Sequence, residues 1–232
     1  MFPCGTRGIA QIAIYRLRMP KIPCFRAKPS LAEEMALCAQ GYRLIAGLDE
    51  AGRGAWAGPV VAAAVILPLD RPRLAEELAG VRDSKQLTPG KRERLYRVIE
   101  EVALSVGLGI VPPDAIDEIG IVPATRLAMR EAIAQLSPVP DFLLVDFLRL
   151  PALAIPQKSI AGGDALCLSI AAASIVAKVR RDRLMVELDA RYPGYGFARH
   201  KGYGTQEHRQ ALARLGLSPV HRLSFAPMKE MV

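Results

Sequence analysis

Asp49 and Glu50 stand side by side, directly after the apolar positions Leu44, Ile45 and Leu48. That run predicts a buried strand, so two carboxylates fall at the edge of a core. Two charges ~4 Å apart repel by ~4 kcal/mol at an effective dielectric of ~20, so the pair needs a cation, an arginine or solvent. Asp146 ends the run Leu143-Leu144-Val145 in the same way, and Asp164 follows Gly162-Gly163 just ahead of a long apolar stretch. If the strands ending at Asp49 and Asp146 lie side by side, both acids project from one sheet edge, and a loop could bring Asp164 to them. Carboxylates gathered in this way suit hard divalent cations, which prefer oxygen ligands. Two such ions ~3.5–4 Å apart can activate a water and stabilise a leaving oxygen in phosphodiester hydrolysis. A strand that ends in an acid is also commonplace, because strand ends are solvated. What sets Asp49-Glu50 apart is the Gly52-Arg53-Gly54 that follows: glycines let a ligand approach the backbone, and a guanidinium binds phosphate.

The elements that must position these acids alternate between strand and helix. Residues 31–40 predict a short helix ended by Gly41. The strand before Asp49 is followed by a glycine-rich turn and a second apolar strand over 58–67, closed by Pro68. Residues 74–80 predict a helical turn. Thr88-Pro89 predicts an N-cap and first-turn proline for a helix over 88–101, with Leu95, Val98, Ile99 and Val102 at helical spacing. A third strand is expected over 102–110, an amphipathic helix over 121–136, a fourth strand over 141–147 and a short fifth over 152–155. The longest helix is expected over 165–190; its first half is nearly all apolar or small and must be buried. A further helix is expected over 205–215, with loop and tail from Ser218. A hairpin-like start followed by alternation argues an α/β domain with a mixed sheet.

The chain has 232 residues, 51% of them hydrophobic, enough for a sizeable core. Its net charge of +8 is unevenly placed: Arg7, Arg16, Arg18, Lys21, Arg26 and Lys28, with no acid among residues 1–30, supply six of the eight charges. The basic balance is therefore mostly a property of the N-terminal arm and says little about the folded part. The arm makes a poor signal peptide; a transit peptide, or an upstream start with Met19 as the true beginning, stays open. Residues 1–40 are expected to be a loosely ordered extension with a short helix near its end, and 41–232 the catalytic domain. Cys4, Cys24, Cys38 and Cys167 lack C-x-x-C spacing and read as free thiols in a reducing cytoplasm. No apolar run is long enough to span a bilayer. His200, His208 and His221 have no acid or cysteine at ligand spacing, which argues against zinc.

GLDEAGRG at 47–54 with GPVVAAAVIL behind it, Asp83-Ser84-Lys85 followed by Gln86-Leu87, SIAAASIVAKVRRDR at 169–183, GYGFARHKGYGT at 194–205, and His221-Arg222 with Ser224, Phe225 and Pro227 resemble the ordered sequence blocks of the ribonuclease HII family. The resemblance runs from about residue 43 to 228. It implies a ribonuclease H-like fold, a five-stranded mixed sheet flanked by helices with a helical C-terminal part. It also implies a two-metal site for Mg²⁺ or Mn²⁺ on Asp49, Glu50, Asp146 and Asp164. Asp182 is the rival for the fourth place, but it lies deep inside the long helix, where pairing with a neighbouring arginine is the simpler role. Phe147 stands where the family often has glycine, and Gly162-Gly163-Asp164-Ala165 where it often has Lys-Gly-Asp-Ser.

The resemblance implies that Gly52, Arg53 and Gly54 read the ribose 2′-hydroxyl, the feature that separates RNA from DNA. It implies that Tyr203 stacks on the sugar of the following deoxynucleotide. Ser174, Lys178 and Arg181 form one polar stripe on the long helix, ordinarily a solvated face; with Lys85 and Lys201 they are expected to hold backbone phosphates. The expected substrates are RNA–DNA hybrids and duplex DNA with embedded ribonucleotides, cut by a cytoplasmic, monomeric endonuclease. Two rivals remain: a non-catalytic nucleic-acid-binding module, and another metal-dependent phosphoryl-transfer enzyme on the same fold.

Overall fold

The computed structural model describes residues 28–151 and 153–231. Its elements are α1 (Ala32–Ala39), β1 (Ile45–Ala51), β2 (Val60–Ile66), α2 (Leu74–Glu77), α3 (Pro89–Val102), β3 (Ser105–Val111), α4 (Pro113–Ile119), α5 (Ile121–Ala134), β4 (Phe142–Asp146), β5 (Gln157–Ile160), α6 (Leu168–Arg191), α7 (Phe197–His200) and α8 (Gln206–Leu215), with short 3-10 turns at Ser84–Gln86, Gly163–Ala165 and Met228–Glu230. The five strands form one sheet in the order β3-β2-β1-β4-β5. β1 pairs antiparallel with β2 but parallel with β4, β2 with β3 is antiparallel, and β4 with β5 is parallel. This is the mixed five-stranded sheet that the resemblance implied.

Both faces of the sheet are covered, which is why β2 reads as an unbroken apolar run rather than an alternating one. Val60, Ala62, Ala64 and Ile66 face Ala124, Ala128 and Ala132 of α5, while Ala63 and Val65 face α3 and the small residues Ala171, Ala172 and Ala173 of α6. α6 lies so close to β1 that a Cβ on Gly47 would run into the backbone of Ser169. Thr88 caps α3 as expected, its hydroxyl accepting from the Lys91 N–H at 3.4 Å. α6 has no cap from its own Cys167. Glu34 of α1 supplies one across the chain: its fully buried carboxylate accepts from the Ser169 N–H at 2.9 Å and the Ser169 hydroxyl at 2.6 Å. Ser30 bridges Cys167, so the expected extension over 1–40 joins the domain from Ser30 through α1; its residues 1–27 lie outside those described.

The fifth strand is displaced from its expected place. It spans Gln157–Ile160 rather than 152–155, because an edge strand tolerates Gln157, Lys158 and Ser159, whereas the more apolar Leu153 and Ile155 pack on the core from a loop. α4 and α7 are additional short helices, and the long helix begins at Leu168, after the 3-10 turn at Gly163–Ala165. Among the described residues, no helix is long and apolar enough to cross a membrane.

Candidate active site

The last pair of the parallel β1–β4 ladder is Leu48–Val145, and Asp49 and Asp146 are the next residue on each strand. Two carboxylates are thereby carried to one edge of the sheet by neighbouring parallel strands. The turn at Gly163–Ala165 adds the third: the Gly163 N–H donates to Asp146 Oδ1 at 2.8 Å, fastening the segment that bears Asp164 to the end of β4. Glu50 completes the group from β1. Asp49 and Asp164 are buried and Glu50 nearly so.

Lys85 ties the group together. Its ammonium lies 3.8 Å from Asp164 Oδ2. Burial works against its charge, but Asp164, Asp83, Asp49 and Asp146 outweigh that and hold its pKa above the ordinary lysine value. Asp83 accepts from the Lys85 N–H at 2.9 Å, and its nearby charge helps raise the Asp164 pKa. It is thus a fifth acid at this edge, one that the sequence reading quoted only as part of a motif. Ser84 beside it pairs its hydroxyl with that of Ser174 at 3.0 Å, and Ser174 offsets part of the rise in the Asp49 pKa.

The electrostatics of this edge favour binding of a cation. Burial, then the charges of Glu50 and Asp146, push Asp49 well above the ordinary carboxylate value. Burial pushes Glu50 to about 7 despite Arg53, whose guanidinium is 3.8 Å away. Asp146 and Asp164 are raised too, by burial first. Glu50 Oε2 is buried and, among the described residues, has no hydrogen-bond partner. An all-oxygen donor set with an orphaned oxygen and crowded negative charge suits a hard divalent ion. The side chains do not form a finished cage: among the described residues, no group of three or more His, Cys, Asp or Glu has the spacing of a metal site.

Beside the acids, Gly52 takes φ +91°, and any Cβ there would strike the Arg181 side chain. Arg53 is half-buried, its guanidinium 5.9 Å from the Phe147 ring, and Gly54 is exposed. Phe147 itself is exposed, with φ 55°. Tyr203 is partly exposed, with Lys178 Nζ at 5.7 Å and the Arg181 guanidinium at 5.4 Å from its ring centre. Lys201 donates its ammonium to the Ala198 carbonyl at 2.6 Å.

The polar stripe on α6 is not a solvated face. Ser174 and Arg181 are buried, and Lys178 pairs with Asp182 at 2.6 Å. The expectation that Arg181 holds a phosphate is corrected: its guanidinium is fully buried and donates to the carbonyls of Pro59 at 2.9 Å, Lys201 at 2.9 Å and Ala57 at 3.1 Å. It is a strut joining the turn after Arg53 to the Tyr203 loop. Asp182 pairs with Arg92 at 3.4 Å as well as with Lys178, in keeping with its exclusion from the acid group.

The three histidines form a buried cluster in which hydrogen bonds fix each tautomer. The Ser218 N–H donates to His221 Nδ1 at 2.9 Å, so His221 Nε2–H donates to His208 Nε2 at 3.0 Å, and His208 Nδ1–H to the Tyr203 carbonyl at 3.0 Å. The Gly202 N–H donates to His200 Nδ1 at 3.2 Å, leaving His200 Nε2–H for the Tyr195 carbonyl at 2.8 Å. Burial lowers all three pKa values, His208 and His221 to about 4. Neutral rings with every nitrogen engaged hold the Tyr203 loop in place and leave no lone pair for zinc.

Residues 46–228 match the family model described as Ribonuclease HII. A Ribonuclease HII of Dehalococcoides mccartyi is 58% identical over 214 residues, covering 92% of this chain and 98% of that relative. One of Chloroflexus aurantiacus is 56% identical over 202 residues, covering 87% and 95%. Among solved structures, the ribonuclease H2 from Pyrococcus horikoshii OT3 is similar with a TM-score of 0.66 at 27% identity, over 81% of this chain and 96% of that one. The acids, the Gly-Arg-Gly turn and Tyr203 all lie inside the matched span, and with relatives this similar over most of both lengths, the chain belongs to the ribonuclease HII family and is a ribonuclease H hydrolase.

Proposed function

We propose that this ribonuclease H hydrolyses the RNA strand of RNA–DNA hybrids and cuts duplex DNA 5′ to an embedded ribonucleotide, leaving 3′-hydroxyl and 5′-phosphate ends. Its role would be ribonucleotide removal during DNA replication and repair, by a monomer acting in the cytoplasm. The observation that carries this reading is the meeting, at one sheet edge, of Asp49, Glu50, Asp146 and Asp164 beside the glycine-flanked Arg53.

Those four carboxylates would hold Mg²⁺ or Mn²⁺, with the orphaned Glu50 Oε2 as one free donor. A pair of such ions supplies Lewis acidity for water activation and for the departing 3′ oxygen. The chain's own residues do the rest. Ser174 of α6 favours the ionised form of Asp49. Gly52, Arg53 and Gly54 present backbone to the ribose, where a side chain would block approach. Lys85, exposed beside Asp164, offers an ammonium to a phosphate near the cut. Lys178 and Lys201 flank Tyr203, whose partly exposed ring offers a platform for the next sugar. Phosphate contacts of this kind position the duplex and weaken with salt.

The test is cleavage of a DNA duplex carrying one ribonucleotide, with Mg²⁺, with Mn²⁺ and with chelator. The expected result is a single metal-dependent cut 5′ to the ribonucleotide. Preferential cutting of all-DNA duplex, or binding without cleavage under every metal condition, would sink the reading.

A further inference from the structure

Arg222 is fully buried and, among the described residues, forms no salt bridge. Its Nε and Nη2 donate to the Gly58 carbonyl at 3.0 and 2.9 Å, and its Nη1 donates to the Arg53 carbonyl at 3.0 Å. One side chain from the C-terminal block thus grips both ends of the turn that follows the paired acids. The turn is stitched to the same region by its backbone: the Trp56 N–H donates to the Gly202 carbonyl, the Gly58 N–H to the Val220 carbonyl and the Arg222 N–H to the Trp56 carbonyl, each at 2.8 Å. Arg222 is itself held, since Asp117 of α4 accepts from the N–H groups of Leu223 at 2.7 Å and Ser224 at 2.9 Å.

The consequence follows from peptide geometry. The Arg53 carbonyl and the Gly54 N–H belong to one planar trans peptide, in which C=O and N–H point in opposite directions. Anchoring the carbonyl inward on Arg222 therefore turns the Gly54 N–H away from the protein interior, at a residue that is exposed. We propose that Arg222 is a positioning residue for ribonucleotide selectivity, which orients the Gly54 N–H as a fixed donor for the ribose 2′-hydroxyl by clamping the Arg53 carbonyl. This rests on the reading of Gly52-Arg53-Gly54 as the ribose-facing turn. Lysine is a poor substitute, since one ammonium on a flexible stem cannot reproduce a planar fork across two carbonyls.

The experiment compares the wild type with Arg222→Gln and Arg222→Lys. For each, the KM for a duplex with one ribonucleotide is measured, together with the Ki of the all-DNA duplex of the same sequence as competitor. The ratio of Ki to KM does not depend on how much of a preparation is folded, so a loss of stability alone leaves it unchanged. The expected result is a fall of at least about fivefold in Arg222→Gln, equivalent to about 1 kcal/mol of discrimination, with Arg222→Lys between that and wild type. Variants that keep the wild-type ratio, whatever their stability, would overturn this inference alone; should Arg222→Gln not fold, Arg222→Lys decides. A wild-type ratio near one would instead overturn the ribose-facing turn, and this inference with it.

Discussion

Replacing Glu50 by glutamine should make the metal-free protein more stable while destroying its activity. Glu50 is mostly buried, and burial holds its pKa at about 7 against an ordinary 4.5. At ~1.4 kcal/mol per pH unit, ionising it in the folded state costs about 3 kcal/mol relative to the unfolded chain. A folded pKa raised above the unfolded one means that this cost is absent below about pH 4.5, grows from there to 7 and is complete above 7. Glutamine never carries the charge, and the partner it loses, Arg53 at 3.8 Å, is a weak one. Glu50→Gln should therefore gain about 1–3 kcal/mol at pH 8 in the presence of chelator, a rise in Tm of ~2–10 °C for a chain of this size. At pH 5 the gain should shrink to at most about 0.8 kcal/mol. The assay is thermal unfolding of both proteins with EDTA at the two pH values, then with excess Mn²⁺, which should stabilise the wild type more than the variant. A variant no more stable than wild type at pH 8, or one whose gain is the same at pH 5, would refute the reasoning that this edge is held under charge strain until a cation arrives.

Asp146→Asn should abolish cleavage, by at least a hundredfold in kcat, while hybrid binding measured by anisotropy stays within a few-fold. Deleting residues 1–27 should change turnover by less than about twofold, whereas deletion through residue 40 removes the Glu34 cap from α6 and should lower the unfolding free energy by at least 1 kcal/mol in urea titration. For the histidine cluster, a folded pKa of about 4 against an ordinary 6.5 means stability that is present above pH 6.5 and lost as pH falls toward 4. The stability difference between wild type and His208→Gln, read by urea unfolding, should therefore narrow across that window rather than widen.

The sequence displayed what depends on neighbours along the chain. β2 was legible because burial on both faces leaves every position apolar, and the N-cap of α3 because Thr88-Pro89 is a local signal. The juxtaposition of Asp49 and Asp146 needed only the assumption that two strands ending in acids run parallel and adjacent, which they do. β5 was misplaced because an edge strand imposes little on its residues, so the more apolar residues just before it looked the better strand. Arg181 was misread for a different reason. Arginine is rarely fully buried without a carboxylate, so a polar stripe on a helix reads as solvent-facing. What neutralises Arg181 is a set of carbonyls from Ala57, Pro59 and Lys201, whose approach no spacing in α6 announces. Arg222 and Asp83 were each visible only as part of a motif, with no role that spacing could assign.

Around the site, the buried charges are sorted by sign, and the sorting has a consequence for a polyanionic ligand. Carboxylates occupy the open sheet edge, where Lys85 and Arg53 only partly offset them and added cations can. Arg181 and Arg222 lie beneath the adjoining turn and are met by carbonyl dipoles rather than by acids. A carboxylate partner would have satisfied each guanidinium with a stronger bond, but it would also have cancelled the charge. Carbonyls fix the turn just as firmly and leave the net positive charge in place under the backbone that a phosphodiester strand must approach. The arrangement thus makes one pair of residues serve both rigidity and attraction, and it predicts that an acid introduced beside either arginine would cost affinity for the duplex even where it added to stability.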